Sequence, residues 1–193
     1  MKIKKLSKAY GDHVVFHSFD YEFQKGSLYW IKGKNGCGKT TLLRILAGLE
    51  TYQGEIEQVQ HKTMVFQEDC LAMNVSVFVN LWMVMHEPRE KARIIIEKEL
   101  SQLGLEAWID EPVTKLSGGM RRRVAIIRAF LVPYDLVLLD EPLRSLDEES
   151  KYVTFQYIVD KCQGKLTLWA SHENFNQPNG SFSLDLSNAM IKM

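Results

Sequence analysis

A glycine-rich segment early in the chain has the spacing of a phosphate-binding loop. Residues 33–40 read GKNGCGKT, which fits G-x-x-x-x-G-K-[ST], between an apolar run that predicts a strand and a leucine-rich run that predicts a helix. Such glycines let backbone N–H groups curl around phosphate oxygens, and the positive end of the following helix faces the anion. Lys39 would supply a point charge to the β and γ phosphates, and Thr40 would offer a hydroxyl to Mg²⁺. The residues predicted to contact a nucleotide here are Gly33, Lys34, Asn35, Gly36, Cys37, Gly38, Lys39, Thr40 and Thr41.

Two alternatives stay open in this loop. An ordinary glycine turn would give the same letters, although the pattern should arise by chance in roughly one chain of this length in a hundred. Cys37 lies near a helix N-terminus and Lys39, so it should have some thiolate character, and its alkylation should inhibit the protein unless nucleotide protects it. An equally acceptable interpretation is that this small residue only fills space.

A second motif combines an apolar strand with two acidic residues. The segment LVLLDEP ends in Asp140 and Glu141 at the carboxyl end of a predicted strand, where an open α/β sheet binds its ligands. Asp140 can hold the Mg²⁺ shell, and Glu141 can orient or deprotonate an attacking water. Many buried strands end in an acidic residue before a turn, so the motif gains its weight from the glycine loop.

A third motif joins a small turn to a basic helix. Residues 116–131 read LSGGMRRRVAIIRAFL, in which Ser117 supplies a hydroxyl while Gly118 and Gly119 expose N–H groups at a helix N-terminus. This arrangement would suit a second phosphate contact. For most of the charge of Arg121–Arg123, the favoured interpretation is a solvated helix start.

The elements that would position these motifs alternate along the chain. Aromatic and β-branched residues predict short strands over the first 30 residues, and the composition shifts to helix from about residue 70 to residue 116. Ile96, Leu100 and Leu103 recur at helical spacing there. Strands and helices then alternate, and residues 182–193 are predicted to form a terminal hairpin. Strands alternating with helices indicate a largely parallel α/β core.

Composition excludes several classes of protein. The 193 residues are 46% hydrophobic and 25% charged, which is typical of a compact globular domain rather than a disordered chain. Lys plus Arg balance Asp plus Glu at 24 each, so no bulk charge attracts nucleic acid or anionic lipid. Three scattered cysteines favour a reducing cytosol. No apolar segment of about 18 residues occurs, so we expect neither a membrane span nor a signal peptide.

The third motif closely resembles the signature of the ATP-binding cassette (ABC) family, LSGGQ followed by a basic, apolar helix. The resemblance extends upstream through LGLEAWIDEPVTKLSGG. It implies a P-loop NTPase (RecA-like) fold of the α/β class, in which a parallel-sheet core carries an N-terminal antiparallel β subdomain and a short α-helical subdomain. The single ABC ATPase domain would span residues 1–193, with the core at 1–67 and 117–193 and the helical subdomain at 68–116.

Further site residues follow from this resemblance alone. Tyr10 looks like the family's adenine-stacking aromatic residue, although it could be a half-buried strand residue. Gln67 looks like the glutamine that reaches Mg²⁺ and the attacking water, and Asp147 like the acidic residue of the loop that crosses the dimer axis. His172 looks like the histidine that contacts the γ phosphate. The resemblance thus implies ATP and Mg²⁺, with Glu141, His172, Gln67 and Lys39 as catalytic residues and Thr40, Gln67 and Asp140 as metal ligands.

The chain also departs from the family pattern. Met120 replaces the usual glutamine of the signature, and Arg144 stands where a small residue is usual. The first change should alter packing without removing nucleotide contact, and the second affects the expected geometry across the dimer. The helical insert is short for the family, and because 21 residues follow His172 we expect no regulatory or substrate-binding extension there.

The resemblance implies a working arrangement of two cassettes. A head-to-tail dimer would sandwich two ATP molecules between each glycine loop and the opposing signature, and hydrolysis would open it. The partner would be a separate transmembrane permease subunit, which places the chain on the cytoplasmic face of the membrane, with no nucleic acid expected. Residues 71–85 would be mostly core, with Met73 and Trp82 left at a docking groove. The alternative is a soluble non-transport ABC ATPase that acts on ribosomes or DNA.

Overall fold

The computed structural model describes residues 1–172 and 178–188, which form two compact units. Among these residues, no helix is both long and apolar enough to cross a membrane. The first unit contains residues 1–64, 134–141 and the described residues from 162 onward, and the second contains 65–133 and 142–161. In chain order the strands are β1 (Lys2–Tyr10), β2 (His13–Glu22), β3 (Leu28–Lys32), β4 (Gln53–Ile56), β5 (Lys62–Val65), β6 (Leu136–Asp140), β7 (Leu166–Ala170) and β8 (Phe182–Asp185); the helices are α1 (Lys39–Ala47), α2 (Val77–Trp82), α3 (Arg89–Gln102), α4 (Gly118–Phe130) and α5 (Glu148–Lys161).

An antiparallel sheet of the order β2-β1-β4 occupies the N-terminal part of the first unit. Tyr10 pairs with His13 across a two-residue turn, in which Gly11 has a φ of 58°. Buried side chains such as Ile3, Leu6 and Phe16 belong to the hydrophobic core of this unit. The predicted N-terminal antiparallel subdomain is therefore confirmed.

A five-stranded sheet of the order β5-β6-β7-β3-β8 forms the centre of the first unit. Strands β6, β7, β3 and β8 pair in parallel, and every residue of β6 and β7 is buried. Pairing places Asp140 opposite Ala170 and Ala170 opposite Ile31. This register aligns the carboxyl ends of β6, β7 and β3, so the segments that follow them leave the sheet at one edge. The predicted parallel α/β core is confirmed.

The predicted terminal hairpin is wrong for its described part. β8 joins the parallel sheet beside β3, and a 3₁₀ turn over Leu186–Asn188 follows it. The physical reason is burial, because Leu184 and Leu186 both reach the core cluster from this parallel position. Residues 189–193, the remainder of the predicted hairpin, lie outside the described residues.

Helices make up most of the second unit. Ser76 caps α2, and α3 begins directly after Pro88 and buries Ala92, Ile96 and Leu100 on one face. Glu99 of α3 bonds α5 through Lys161 Nζ and Tyr157 Oη, both at 2.7 Å. The bounds of this unit differ from the predicted helical segment 68–116, since α4 and α5 belong to it as well.

Candidate nucleotide-binding site

The glycine loop joins β3 to α1, as the sequence predicts. Gly38 directly precedes the helix with a φ of 92°, and a Cβ there would lie 2.6 Å from Val15 Cγ1 and 2.9 Å from Phe16 Cζ. Gly33 has a φ of 142°, and a Cβ added there would clash with Cys37 Sγ. Both positions therefore require glycine for backbone conformation and for space. Gly36, with a φ of 79°, lies at an open point of the loop.

The N-terminus of α1 lacks a protein acceptor of the usual kind. Within residues 1–172 and 178–188, no side chain caps this helix, whereas α2 and α4 are capped by Ser76 and Ser117. The first N–H groups of a helix need an acceptor from outside the helix, and together they carry a partial positive charge. An anion held by the loop would satisfy them.

Lys39 is the first residue of α1, and its side chain turns back over the loop. Its ammonium donates hydrogen bonds to the carbonyl oxygens of Gly33 at 2.9 Å and Lys34 at 3.3 Å. The residue is only 7% exposed. The contacts hold a positive charge beside the loop amides, where a phosphate would meet both.

Glu141 and His172 meet at the carboxyl edge of the parallel sheet. Glu141 follows β6 by one residue and His172 follows β7 by two, and Glu141 Oε1 lies 3.5 Å from His172 Nε2. The backbone N–H of Glu141 donates to the carbonyl oxygen of Ala170 at 2.9 Å, and the backbone N–H of His172 donates to the Glu141 carboxylate. The pair is thus held by the register of β6 against β7.

Glu141 has an unusual backbone conformation and an environment that changes the pKa of its carboxyl. Its φ of 49° lies in the left-handed region, which is uncommon outside glycine and clusters at functional sites. Burial raises the pKa of its carboxyl, the charge of His172 opposes that rise, and the neighbouring Asp140 carboxylate adds to it. Lys39 is close enough to lower the pKa as well. The first unit therefore brings together Lys39, Asp140, Glu141 and His172.

The donor set fits a metal that is held mainly by its substrate. Asp140 is 2% exposed, and Thr40 is half-buried at the start of α1. The described parts of the chain contain no group of three or more His, Cys, Asp and Glu side chains that could hold a metal ion alone. Magnesium typically takes one or two carboxylates and completes its shell with substrate phosphates and water. Thr40 and Asp140 are compatible with that pattern.

The second unit contains Gln67, the signature residues 117–119 and Asp147. Gln67 is exposed shortly after β5, and Ser117 and Gly118 are exposed at the start of α4, where Gly119 is half-buried. The Ser117 hydroxyl oxygen accepts a hydrogen bond from the Met120 N–H at 3.2 Å. Because a hydroxyl can accept and donate at once, its proton is left to reach another group. Arg144 and Asp147 are both exposed in the loop before α5.

Tyr10, the last residue of β1, presents an exposed ring. The residue is 46% exposed, and Lys8 Nζ lies 4.6 Å from the ring centroid. Lys8 also pairs with Glu50 at 3.0 Å. Lys8 and Tyr10 are two residues apart on one strand, a spacing that places both side chains on one face, whereas Glu50 reaches Lys8 only through the fold.

The interpretation of the three arginines as a solvated helix start is wrong. Arg122 is 3% exposed, and its guanidinium donates to backbone carbonyl oxygens of other segments. Arg121 donates to Leu116 O at 2.9 Å and Arg123 to Leu103 O at 2.6 Å. Acceptors on the backbone carry no side-chain signal, so the sequence pattern could not predict these bonds.

Cys37 is a buried core residue. It is 3% exposed and belongs to the same cluster as Val15, Phe16 and Leu42. This environment favours the space-filling interpretation over a reactive thiol.

The three cysteines should differ sharply in alkylation by iodoacetamide. Cys70 is exposed, whereas Cys37 and Cys162 are buried, and burial raises the pKa of the Cys162 thiol to about 12. We therefore expect intact-mass analysis of the folded protein at pH 7 to give a single adduct on Cys70, since the thiolate is the reactive form. The denatured protein, as a control, should take three. Labelling of Cys37 as fast as that of Cys70 would contradict its burial.

The glycine loop, the uncapped helix and the parallel sheet define a P-loop nucleotide-binding protein. The antiparallel sheet at its N-terminus and the added helices narrow the class further. The chain belongs to the ABC transporter family, whose sequence model matches residues 16–144. The resemblance and the fold predicted from it are thereby confirmed.

Three relatives illustrate the range of the similarity. The chain is 35% identical over 160 residues to the Fe(3+) ions import ATP-binding protein FbpC of Vibrio cholerae, covering 75% of this chain and 46% of that protein. It is 34% identical over 163 residues to the spermidine/putrescine import ATP-binding protein PotA of Mesoplasma florum, with 76% and 46% covered. It is 31% identical over 195 residues to the cytochrome c biogenesis ATP-binding export protein CcmA of Vibrio cholerae, with 93% and 94% covered. The chain thus spans about half the length of the two import proteins and nearly all of the export protein.

Proposed function

We propose that the protein is the ATP-binding and ATP-hydrolysing subunit of an ABC transporter and powers transport through a separate membrane-spanning partner. The main observation behind the proposal is that Lys39, Glu141 and His172 lie together at the carboxyl edge of the parallel sheet. The uncapped N-terminus of α1 begins at the same edge. The names of the relatives support it, since each is called an import or export ATP-binding protein. These names include import and export and several substrates, so the proposal specifies neither the direction of transport nor the substrate.

Different residues of the first unit have different roles in hydrolysis. The loop amides and Lys39 bind the phosphates and stabilise the charge that develops on the departing group. Glu141 accepts a proton from the attacking water or orients it, and its raised pKa brings its basicity closer to that needed near neutral pH. His172, bonded to Glu141 through its backbone, would donate to the γ phosphate.

Thr40, Asp140 and Gln67 would hold Mg²⁺. The metal supplies charge neutralisation for the triphosphate when bound. Asp140 is fixed by its place at the buried end of β6, and Gln67 follows β5 by two residues.

The start of α4 supports a dimer in which a second copy completes the site. A Cβ added to Gly118 would meet only Arg121 Nη2, at 3.9 Å, and its φ is not in the left-handed region. The fold itself therefore has no need of glycine at this exposed position, while a phosphate approaching the backbone N–H would need it. The free Ser117 proton could reach the same phosphate.

A membrane partner would dock on the second unit at the cytoplasmic face. Val77, Phe78 and Leu81 of α2 are buried, as the core interpretation of residues 71–85 predicts. Met73 is 42% exposed and Met83 54% exposed, which leaves apolar surface for a partner. Trp82 is engaged within the chain, because its indole N–H donates to Glu87 O at 3.0 Å.

The dimer is tested by two serine variants that remove the same kind of helix cap. Ser117 Oγ and Ser76 Oγ each accept a backbone N–H at 3.2 Å, so Ser117→Ala and Ser76→Ala should each cost about 1 kcal/mol of stability. Only Ser117→Ala should slow ATP turnover, by about 10- to 100-fold, because it also removes a hydrogen bond to a charged phosphate. Steady-state phosphate release and thermal unfolding of both variants measure this.

The wild-type protein is the reference for the comparison of the two serine variants. It should hydrolyse ATP in the presence of Mg²⁺ and dimerise on binding ATP, as read by light scattering. Equal turnover in the two serine variants would remove Ser117 from the site. A wild-type protein without ATP turnover would refute the proposed activity.

A further inference from the structure

Two arginines of α4 hold the segment that contains Gln67. Arg122 Nη1 donates to the carbonyl oxygens of Phe66 at 2.6 Å and Gln67 at 3.3 Å, and it lies 3.4 Å from Asp69 Oδ1. Arg128 donates to the carbonyl oxygens of Asp69 at 3.1 Å and Cys70 at 2.9 Å. Residues 66–70, here called the Gln67 segment, are therefore bonded to α4 through their backbone.

Arg122 also holds a second segment. Its Nε donates to the carbonyl oxygen of Pro142 at 2.8 Å. Pro142 directly follows Glu141 in the chain, and proline has no N–H of its own to anchor it. One guanidinium thus bonds both the Gln67 segment and the residue next to the proposed base.

The chemistry of these contacts requires arginine rather than any cation. Arg122 is 3% exposed, so its charge is removed from water and must be matched by hydrogen bonds. A planar guanidinium offers five donors in a fixed fork, which allows Nε and Nη1 to reach acceptors on different segments. A lysine ammonium is a single point on a flexible stem and could not keep the same directions.

We propose that Arg122 is a positioning residue for ATP hydrolysis, because it fixes Gln67 and the segment after Glu141 relative to the same side chain. The inference rests on the proposed function. It assigns Arg122 a role in hydrolysis that is not required for ATP binding. The hydrogen bonds of Arg122 given above reach residues 66, 67, 69 and 142, which all lie outside the glycine loop. Its loss should therefore act on the rate of the chemical step rather than on affinity.

The test separates turnover from binding in two Arg122 variants. Arg122→Lys keeps the charge and most of the stem, and Arg122→Met keeps the stem and removes every donor. We expect kcat to fall about tenfold or more in both, since a misplaced base or water-binding group has costs of that order. The Kd for an ATP analogue, measured by fluorescence, should stay within about twofold of the wild type.

Arg123→Lys is the matched control. Arg123 lies on the same helix and donates to the backbone carbonyl oxygen of Leu103, a residue that belongs to neither segment. The melting temperature of Arg123→Lys should fall by about as much as that of Arg122→Lys, while its kcat should stay at the wild-type value. The inference is overturned if Arg122→Lys turns over ATP as fast as Arg123→Lys, or if affinity, stability and kcat all fall together. If the wild type itself does not hydrolyse ATP, the proposed function fails rather than the role of Arg122.

Discussion

Glu141→Gln should bind ATP as the wild type does and hydrolyse it about 10² to 10⁴ times more slowly. Glutamine has nearly the same shape and can still accept the His172 backbone N–H, but it cannot take a proton from water. Single-turnover hydrolysis measures the chemical step, and a fluorescent ATP analogue measures binding. Unchanged turnover would exclude Glu141 as the base.

The stability of this variant provides a second readout. The folded-state pKa of Glu141 is raised above its usual value, so the ionised carboxyl is less favourable in the folded chain than in the unfolded one. Stability associated with this group is therefore present below its unfolded pKa and lost as the pH rises through its folded pKa. At pH 7 the neutral glutamine should leave the melting temperature equal to or above that of the wild type, which scanning calorimetry would show.

Glu22→Gln is the matched control for Glu141→Gln. Glu22 lies on β2, and its 65% exposed side chain forms an ion pair with the exposed Lys2 at 3.3 Å. Exposed pairs of this kind contribute little, so both turnover and stability should match the wild type. A decrease in turnover here would indicate that any loss of a carboxylate slows the protein.

Lys39→Met should weaken ATP binding by about 30-fold or more, since removing one partner of a buried charge pair costs about 2 to 5 kcal/mol. Methionine keeps the packing of the stem beside the loop and removes the ammonium that donates to Gly33 and Lys34. The Kd from titration with a fluorescent ATP analogue is the measurement. Lys91→Met, at a 65% exposed lysine, is the control and should bind normally.

A fold change would be a competing explanation for Lys39→Met. Circular dichroism and the melting temperature without nucleotide should therefore stay close to those of the wild type. A well-folded Lys39→Met protein with wild-type affinity would show that the loop does not bind phosphate through this residue.

Local sequence patterns could predict the frame of the site. GKNGCGKT lies between an apolar strand and a leucine-rich helix, and those periodicities depend only on neighbouring residues. The parallel order of the strands follows from their alternation with helices. The approach of Glu141 to His172 then results from the register of β6 against β7, which places the ends of both strands at one edge.

Contacts between distant segments could not be predicted in the same way. Arg122 bonds carbonyl oxygens at positions 66, 67 and 142, and any residue type supplies such an acceptor. The position of β8 beside β3 depends on which open edge of the sheet accepts Leu184. Likewise, helices α4 and α5 join the second unit through tertiary packing, which leaves no mark on their own periodicity.

The packing of Gly38 against Val15 and Phe16 limits the transfer of the loop to other proteins. Two side chains from the N-terminal hairpin form a wall against which the turn before α1 rests. A fragment cut to β3, the loop and α1 would keep every letter of the motif and lose that wall. Transplanting the loop into another scaffold would therefore require a matching apolar support, because the eight residues alone do not determine their own shape.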